Sequence, residues 1–262
     1  MDHFSNTANA LSLLFDGEGF SYCVRDENGK QGKVSKFKVT HSNRWEAEVV
    51  KELEVNLKLR RNYRAVSTGF VSTFFNLVPD SYLNISHETL LNLSEAEFEN
   101  NAILTSPTRF GNTFVYGISQ TLLDKLKEFY PSVSIHHSGQ VFMDSIKFSK
   151  QPELHLNLCQ NYLEVVVNQE NRILFYNLFE VKSDEDILFY GLFVLEQLGL
   201  DANKIELKCY GQLLPGSNVY QLLKKYIRFI APAIKDEEIL ENYTLHNLSQ
   251  CASSQEISEE KR

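Results

Sequence analysis

The chain opens on short apolar runs parted by tight polar turns, and then its period lengthens. Leu11-Ser-Leu-Leu-Phe15 and Phe20-Ser-Tyr-Cys-Val24 flank Asp16-Gly-Glu-Gly19, which predicts two alternating strands folded back as a hairpin. Asp26-Glu-Asn-Gly29 marks a second turn, where Asn-Gly supplies positive φ, and Val34, Phe37 and Val39 mark a third strand. Trp45, Val49, Leu53 and Leu57 then recur every fourth position, an apolar stripe along a helix, and Asn43 stands three residues before Glu46 as a capping-box-like start. Tyr63 to Gly69 reads as a further strand, so the order is β-β-β-α-β.

That order returns in the second half. Leu154 to Cys159, a Gln160-Asn161 turn, Tyr162 to Val167, a polar turn at Asn168 to Asn171 and Ile173 to Phe179 form a second meander. Ser183 with Asp186 three residues on starts a helix through Leu198 that Gly199 ends, and Ile205 to Tyr210 is the strand after it. Between the copies, Thr73 to Val78 reads as a strand ended by Pro79, and Ser86 caps a short helix to Leu93. Asn100 to Thr105 and Thr113 to Ile118 pair as strands, and a helix from Ser119 to Phe129 stops before Pro131. Val133 to His136 reads as a strand and Ser138 to Ile146 as a helix. After the repeat, Ser217 caps a helix running through Ile230, and Tyr243 to Leu248 reads as a last strand. The boundaries fall at residues 1–150, 151–252 and a polar, solvated tail at 253–262.

Charge narrows the partners. A formal net charge of -8 repels a nucleic-acid backbone, so no nucleic acid is expected. Lys58, Arg60, Arg61 and Arg64 read first as cations closing a helix and second as a phosphate-binding patch. No apolar run approaches the length of a membrane span, and no leader is apparent, which points to the cytoplasm. Cys23, Cys159, Cys209 and Cys251 lie far apart without metal spacing and read as reduced thiols, with a metal site assembled from distant residues as the other reading. His136-His137 has no acidic or cysteine residue at helical ligand spacing. No nucleophile elbow, Walker loop or dinucleotide fingerprint occurs, so enzyme chemistry of those kinds has no residues to stand on. Most of the 18 Phe and 12 Tyr fall on core positions, with some left for an interaction surface.

A doubled β-β-β-α-β unit resembles the actin-like ATPase superfamily, whose two ribonuclease H-like halves each hold a mixed sheet that opens with a three-stranded antiparallel meander and is flanked by helices. More narrowly, the chain resembles an uncharacterised family of Bacteroidetes proteins with that fold, through Leu77-Val78-Pro79 in its middle region. The second half is also similar to pilus-assembly and secretion-platform members, through Leu214-Pro215-Gly216. The resemblance implies a nucleotide cleft whose first hairpin turn carries Asp, Gly and a hydroxyl residue, the hydroxyl and backbone N–H groups cradling phosphate while the carboxylate organises Mg²⁺. Here Asp16-Gly17-Glu18-Gly19 keeps the Asp and the glycines, lacks the hydroxyl and adds a second carboxylate. The second hairpin's Asp-x-Gly is replaced by Asn157-Leu158-Cys159, and the adenosine-side Gly-Gly by Tyr210-Gly211.

Two functional readings follow. The first is a noncatalytic protein-binding or assembly domain with a degenerate nucleotide site and no cofactor. The second is an ATP-binding ATPase or switch that holds ATP with Mg²⁺ through Asp16, Gly17, Gln160 and Gly211, and a third, a different small ligand in the same cleft, stays open. Asp16 to Gly19 also reads simply as a hairpin turn, and Asn157 as a strand residue bonded to its neighbours.

Overall fold

A computed structural model describes residues 8–26, 28, 30–92, 101–147, 149–170 and 172–248. The chain divides into two compact units, one running to Asp144 and resuming at Thr244, the other spanning Ser145–Tyr243. The 253–262 tail and Cys251 lie outside the described residues.

In unit 1 the meander is β1 (Ala8–Asp16), β2 (Gly19–Arg25) and β3 (Ser35–Lys38), followed by α1 (Trp45–Val55) and β4 (Tyr63–Phe70). An insertion follows: β5 (Phe75–Pro79), α2 (His87–Asn92), β6 (Asn101–Pro107), β7 (Asn112–Ser119) and α3 (Gln120–Phe129), in which the strands form a separate sheet ordered β5-β7-β6. Then β8 (Ser134–His137) completes the first sheet, ordered β3-β2-β1-β4-β8, and α4 (Ser138–Ser145) follows directly. The meander pairs antiparallel, whereas β1, β4 and β8 run parallel. Phe37, Phe20, Phe15 and Phe70 form an aromatic row across four strands, with centroids 5.0–5.4 Å apart, which pins the register beside the first turn.

Unit 2 repeats the plan with β9 (Glu153–Cys159), β10 (Tyr162–Gln169), β11 (Arg172–Glu180), α5 (Asp184–Gln197), β12 (Glu206–Gly211), α6 (Asn218–Tyr226), β13 (Phe229–Pro232) and α7 (Glu237–Glu241). Its sheet order, β11-β10-β9-β12-β13, is that of unit 1 strand for strand. Alternation divides the two faces. Leu154, Leu156, Val165, Val167, Leu207 and Cys209 pack with α5 and α6 in one core, each large side chain contributing about 1.5–3 kcal/mol by leaving water. The other face presents Glu153, His155, Asn157, Glu164, Asn168 and Tyr210, which are buried as well. Period-2 patterning marks these as an outer face, but a central strand with both faces covered buries them, and they survive by bonding one another.

Four local readings are corrected. α1 has no Asn43 capping box, because Ser42–Arg44 form a 3-10 turn and its N-cap, Arg44, makes no side-chain cap bond. The helix ends at Val55, so Leu57 is exposed and the Lys58–Arg64 cations lie in the following turn and β4 rather than closing the helix. α6 stops at Tyr226, since Phe229–Pro232 pair in parallel with β12. Residues 243–248 are helical rather than a strand. The Ser119 and Ser183 caps form, the latter as a full capping box with Asp186.

Candidate functional site

The first hairpin turn is closed by its own acid. Asp16 pairs with Gly19 across a two-residue loop, Gly17-Glu18, and its Oδ1 accepts the Glu18 N–H at 2.8 Å. Burial pushes the Asp16 carboxyl above its ordinary range, the turn N–H opposes this, and the neighbouring Glu18 carboxylate adds to it. The Trp45 indole N–H donates to the Asp16 carbonyl at 2.9 Å, tying α1 to the turn. Glu18 projects its own carboxylate to Lys38 at 2.7 Å. The positive φ sits at Gly19 (147°) rather than at Gly17, and a Cβ there would lie 2.2 Å from the Phe37 carbonyl oxygen.

In unit 2, Gln160 and Asn161 make the β9–β10 turn, with Gln160 left-handed at φ 52° and the Asn161 carbonyl accepting the Val181 N–H. Gly211 ends β12 beside Leu158 at φ 65°, and a Cβ there would meet the Leu158 oxygen at 2.1 Å and the Asn157 Oδ1 at 2.8 Å. The chain then turns so that the Gln212 N–H donates to the Leu158 carbonyl. Asn157, at the position where the resemblance calls for a carboxylate, donates its Nδ2–H to Glu164 Oε2 at 2.6 Å, and the Tyr176 hydroxyl donates to Oε1 of the same carboxylate at 3.2 Å. Asp16 and Gly17 thus share one hairpin, and Gln160 and Gly211 lie at the ends of neighbouring strands.

Two histidine clusters stand out, of which only the one around His155 escaped the sequence reading, since His136-His137 read as solvent-exposed or core-bonded. His155 is fully buried, its Nδ1 at 3.0 Å from the Tyr210 hydroxyl and its Nε2 at 2.6 Å from Asn168 Oδ1, with Glu153 Oε2 at 3.7 Å. Burial pulls its pKa down to about 4, so the ring is neutral and donates from Nε2 to the amide oxygen. In unit 1, His137 stacks on Phe114 at 4.5 Å and meets Tyr116 edge-on, its Nε2 donating to the Ser72 carbonyl and its Nδ1 accepting the Gly139 N–H. Burial lowers its pKa to about 4 as well. Half-buried His136 bonds Gln140, which donates to Asp144. The only advance signal for His155 is the alternation of Glu153, His155 and Asn157 with leucines on what becomes a central strand.

Residues 1–230 match a family described as a protein of unknown function, DUF3822. The chain belongs to the DUF3822 family. A Bacteroides thetaiotaomicron protein with actin-like ATPase fold and unknown function is similar over 96% of this chain and 99% of its own, with a TM-score of 0.81 at 19% identity. A PilM–PilN type IV pilus biogenesis complex is similar over 94% and 98%, with a TM-score of 0.59 at 12% identity. A ROK family glucokinase from Streptomyces griseus, in complex with glucose and AMPPNP, is similar over 94% and 99%, with a TM-score of 0.51 at 8% identity. No curated protein matches. At these identities the likeness shows the fold, an actin-like ATPase fold of two halves, and the family carries no assigned activity.

The residues present do not fit a nucleotide with Mg²⁺. One oxygen of Asp16 closes its own turn, Glu18 adds a second carboxylate to that turn, and on β9 the group is an amide engaged by Glu164. Among the described residues no group of three or more His, Cys, Asp or Glu could hold a metal ion, and no helix is long and apolar enough to cross a membrane.

Proposed function

We propose that the chain is a noncatalytic actin-like domain of the cytoplasm that binds or assembles other proteins and has a degenerate nucleotide site. The observation that carries this reading is the Asn157–Glu164 bond: the group on β9 that would organise Mg²⁺ is an amide, and it is committed to the sheet. The similar fold of a protein in the PilM–PilN complex supports a protein-binding role. Heating the protein with millimolar ATP and Mg²⁺ tests it. A site with a Kd about a hundredfold below the ligand concentration stabilises by about 2.7 kcal/mol and would raise Tm by about 5–10 °C for a chain of this size. The expected shift is nil, and a rise of several degrees refutes the reading. Affinity purification from native cytoplasm tests the other half, which fails if no second polypeptide is recovered.

One feature favours a second reading, an ATP-binding domain or nucleotide-dependent switch. At the end of β12 Gly211 keeps the left-handed turn that the actin-like pattern sets on the adenosine side. The same heating experiment decides between the two.

A further inference from the structure

Unit 2 leaves two aromatic faces in water, and their charges are opposite. α5 carries Asp184, Glu185, Asp186 and Glu196 with no Lys or Arg. Its outward stripe at four-residue spacing is Glu185, Phe189 and Phe193. The two Phe side chains are 58% and 41% exposed and stack on each other at 5.7 Å. They are held firmly, because Phe189 packs edge-on against Tyr190, which stacks at 4.1 Å on Phe179 of β11. Asp186 is engaged in the helix cap, whereas Glu185 and Glu196 are exposed and reach into solvent.

The second face lies at the end of α6 and the start of edge strand β13. Lys224, Lys225, Tyr226, Arg228 and Phe229 are all exposed, Tyr226 at 53% and Phe229 at 47%, and the Arg228 guanidinium lies 5.3 Å over the Phe229 ring. Cations at the end of α6 suit its dipole, but that accounts for neither exposed ring. Large rings left in water beside charge mark a contact surface. Each patch supplies two exposed aromatic anchors and a charge border that the other complements.

We infer that the acidic aromatic face of α5 docks on the basic aromatic face at the α6–β13 end of a second copy of this chain. Each contact joins two different patches, so a pair held by one contact keeps one acidic and one basic patch unfilled, and assembly continues beyond two unless a two-fold pair or a ring closes it. The inference is independent of nucleotide binding and stands or falls separately from the proposed function.

Sedimentation velocity on the full chain from about 1 to about 100 µM tests it. Concentration-dependent assembly is expected, weaker at high salt because exposed charges are screened. Two variants, Glu185→Lys with Glu196→Lys and Lys224→Glu with Lys225→Glu, each reverse one border at exposed positions, and circular dichroism checks that both fold. Each alone is expected to raise Kd about tenfold or more. Each variant alone sets like charge against like and loses self-association, whereas mixed together they are expected to regain assembly, because every contact between the two variants joins an acidic border to a basic one. Phe189→Glu with Phe193→Glu is expected to weaken assembly about thirtyfold or more, because buried aromatic anchors carry most of the energy of such contacts. A wild-type chain that stays monomeric throughout overturns the inference, and so does assembly indifferent to charge reversal or a mixture that fails to pair.

Discussion

Replacing Asn157 by Asp restores the carboxylate that the actin-like pattern calls for, and the structure says what that does. Asn157 Nδ2 lies 2.6 Å from Glu164 Oε2, and both residues are 1% exposed. Two unit charges at that separation repel by about 6 kcal/mol even at an effective dielectric of about 20, so the pair takes up a proton instead. A free carboxyl titrates near pH 4, and keeping one protonated at pH 7 therefore costs about 3–4 kcal/mol. The sign follows from proton counting. Above about pH 5 the unfolded chain has lost both protons while the folded variant holds one, so its stability falls by about 1.4 kcal/mol for each pH unit gained. Urea unfolding of N157D and wild type between about pH 5 and 8 measures the difference, expected to be small at the acid end and about 3–4 kcal/mol at neutrality. A difference that does not vary with pH, or a variant as stable as wild type at pH 8, refutes the reasoning that two facing carboxyl groups must share a proton there. Because the new carboxylate is then shared with Glu164, N157D is also expected to gain no ATP-dependent rise in Tm.

Two further outcomes follow from the same geometry. Gly211→Ala puts a methyl group 2.1 Å from the Leu158 carbonyl oxygen in a left-handed conformation, and is expected to destabilise by about 2–4 kcal/mol in urea unfolding; a loss under about 1 kcal/mol would mean that β12 shifts freely. His137 and His155 have folded pKa values lowered to about 4 against an unfolded value near 6.5, so the unfolded chain binds their protons first and stability is lost as pH falls from about 6.5 towards 4. The expected slope is up to about 1.4 kcal/mol per pH unit for each ring, removed at one of them by His155→Gln, and a variant with the wild-type slope contradicts the assignment.

The meander, its helix and the following strand were legible in both halves because turn residues and a change of period from two to four mark them locally. The hairpin loops at Asp16 to Gly19 and Gln160-Asn161 fall where the pattern puts them. What misled were ends. Leu57 continues the four-residue spacing of α1 beyond its last turn, where Asn56 turns extended and its side chain takes the Lys58 N–H, so the helix stops and Leu57 lies exposed. Phe229 and Ile230 continue the apolar stripe of α6, yet pairing with β12 outweighs one more helical turn. Asn157 read correctly as a strand residue bonded to its neighbours, but the rest of the buried polar face of unit 2 was illegible for another reason: a polar residue alternating with leucine looks the same whether water or another side chain satisfies it, and only the three-dimensional partner of His155 distinguishes the cases.

The two units share a sheet order but not the chemistry at their turns, and the contrast shows which residues can report on a ligand. Gly19 and Gly211 each sit where one strand passes close to the carbonyl of the next, Phe37 in unit 1 and Leu158 in unit 2, and each would clash at about the same depth if it carried a Cβ. Both glycines are therefore required by the sheet itself, with or without a nucleotide. The polar groups are different, because nothing in the backbone demands a carboxylate on β9. There the chain has an amide, and opposite it Glu164 on β10, which needs a donor and finds one in Asn157. Asn157 and Glu164 thus form a matched pair, and placing a carboxylate on β9 while Glu164 stays sets two buried acids face to face instead of opening a site.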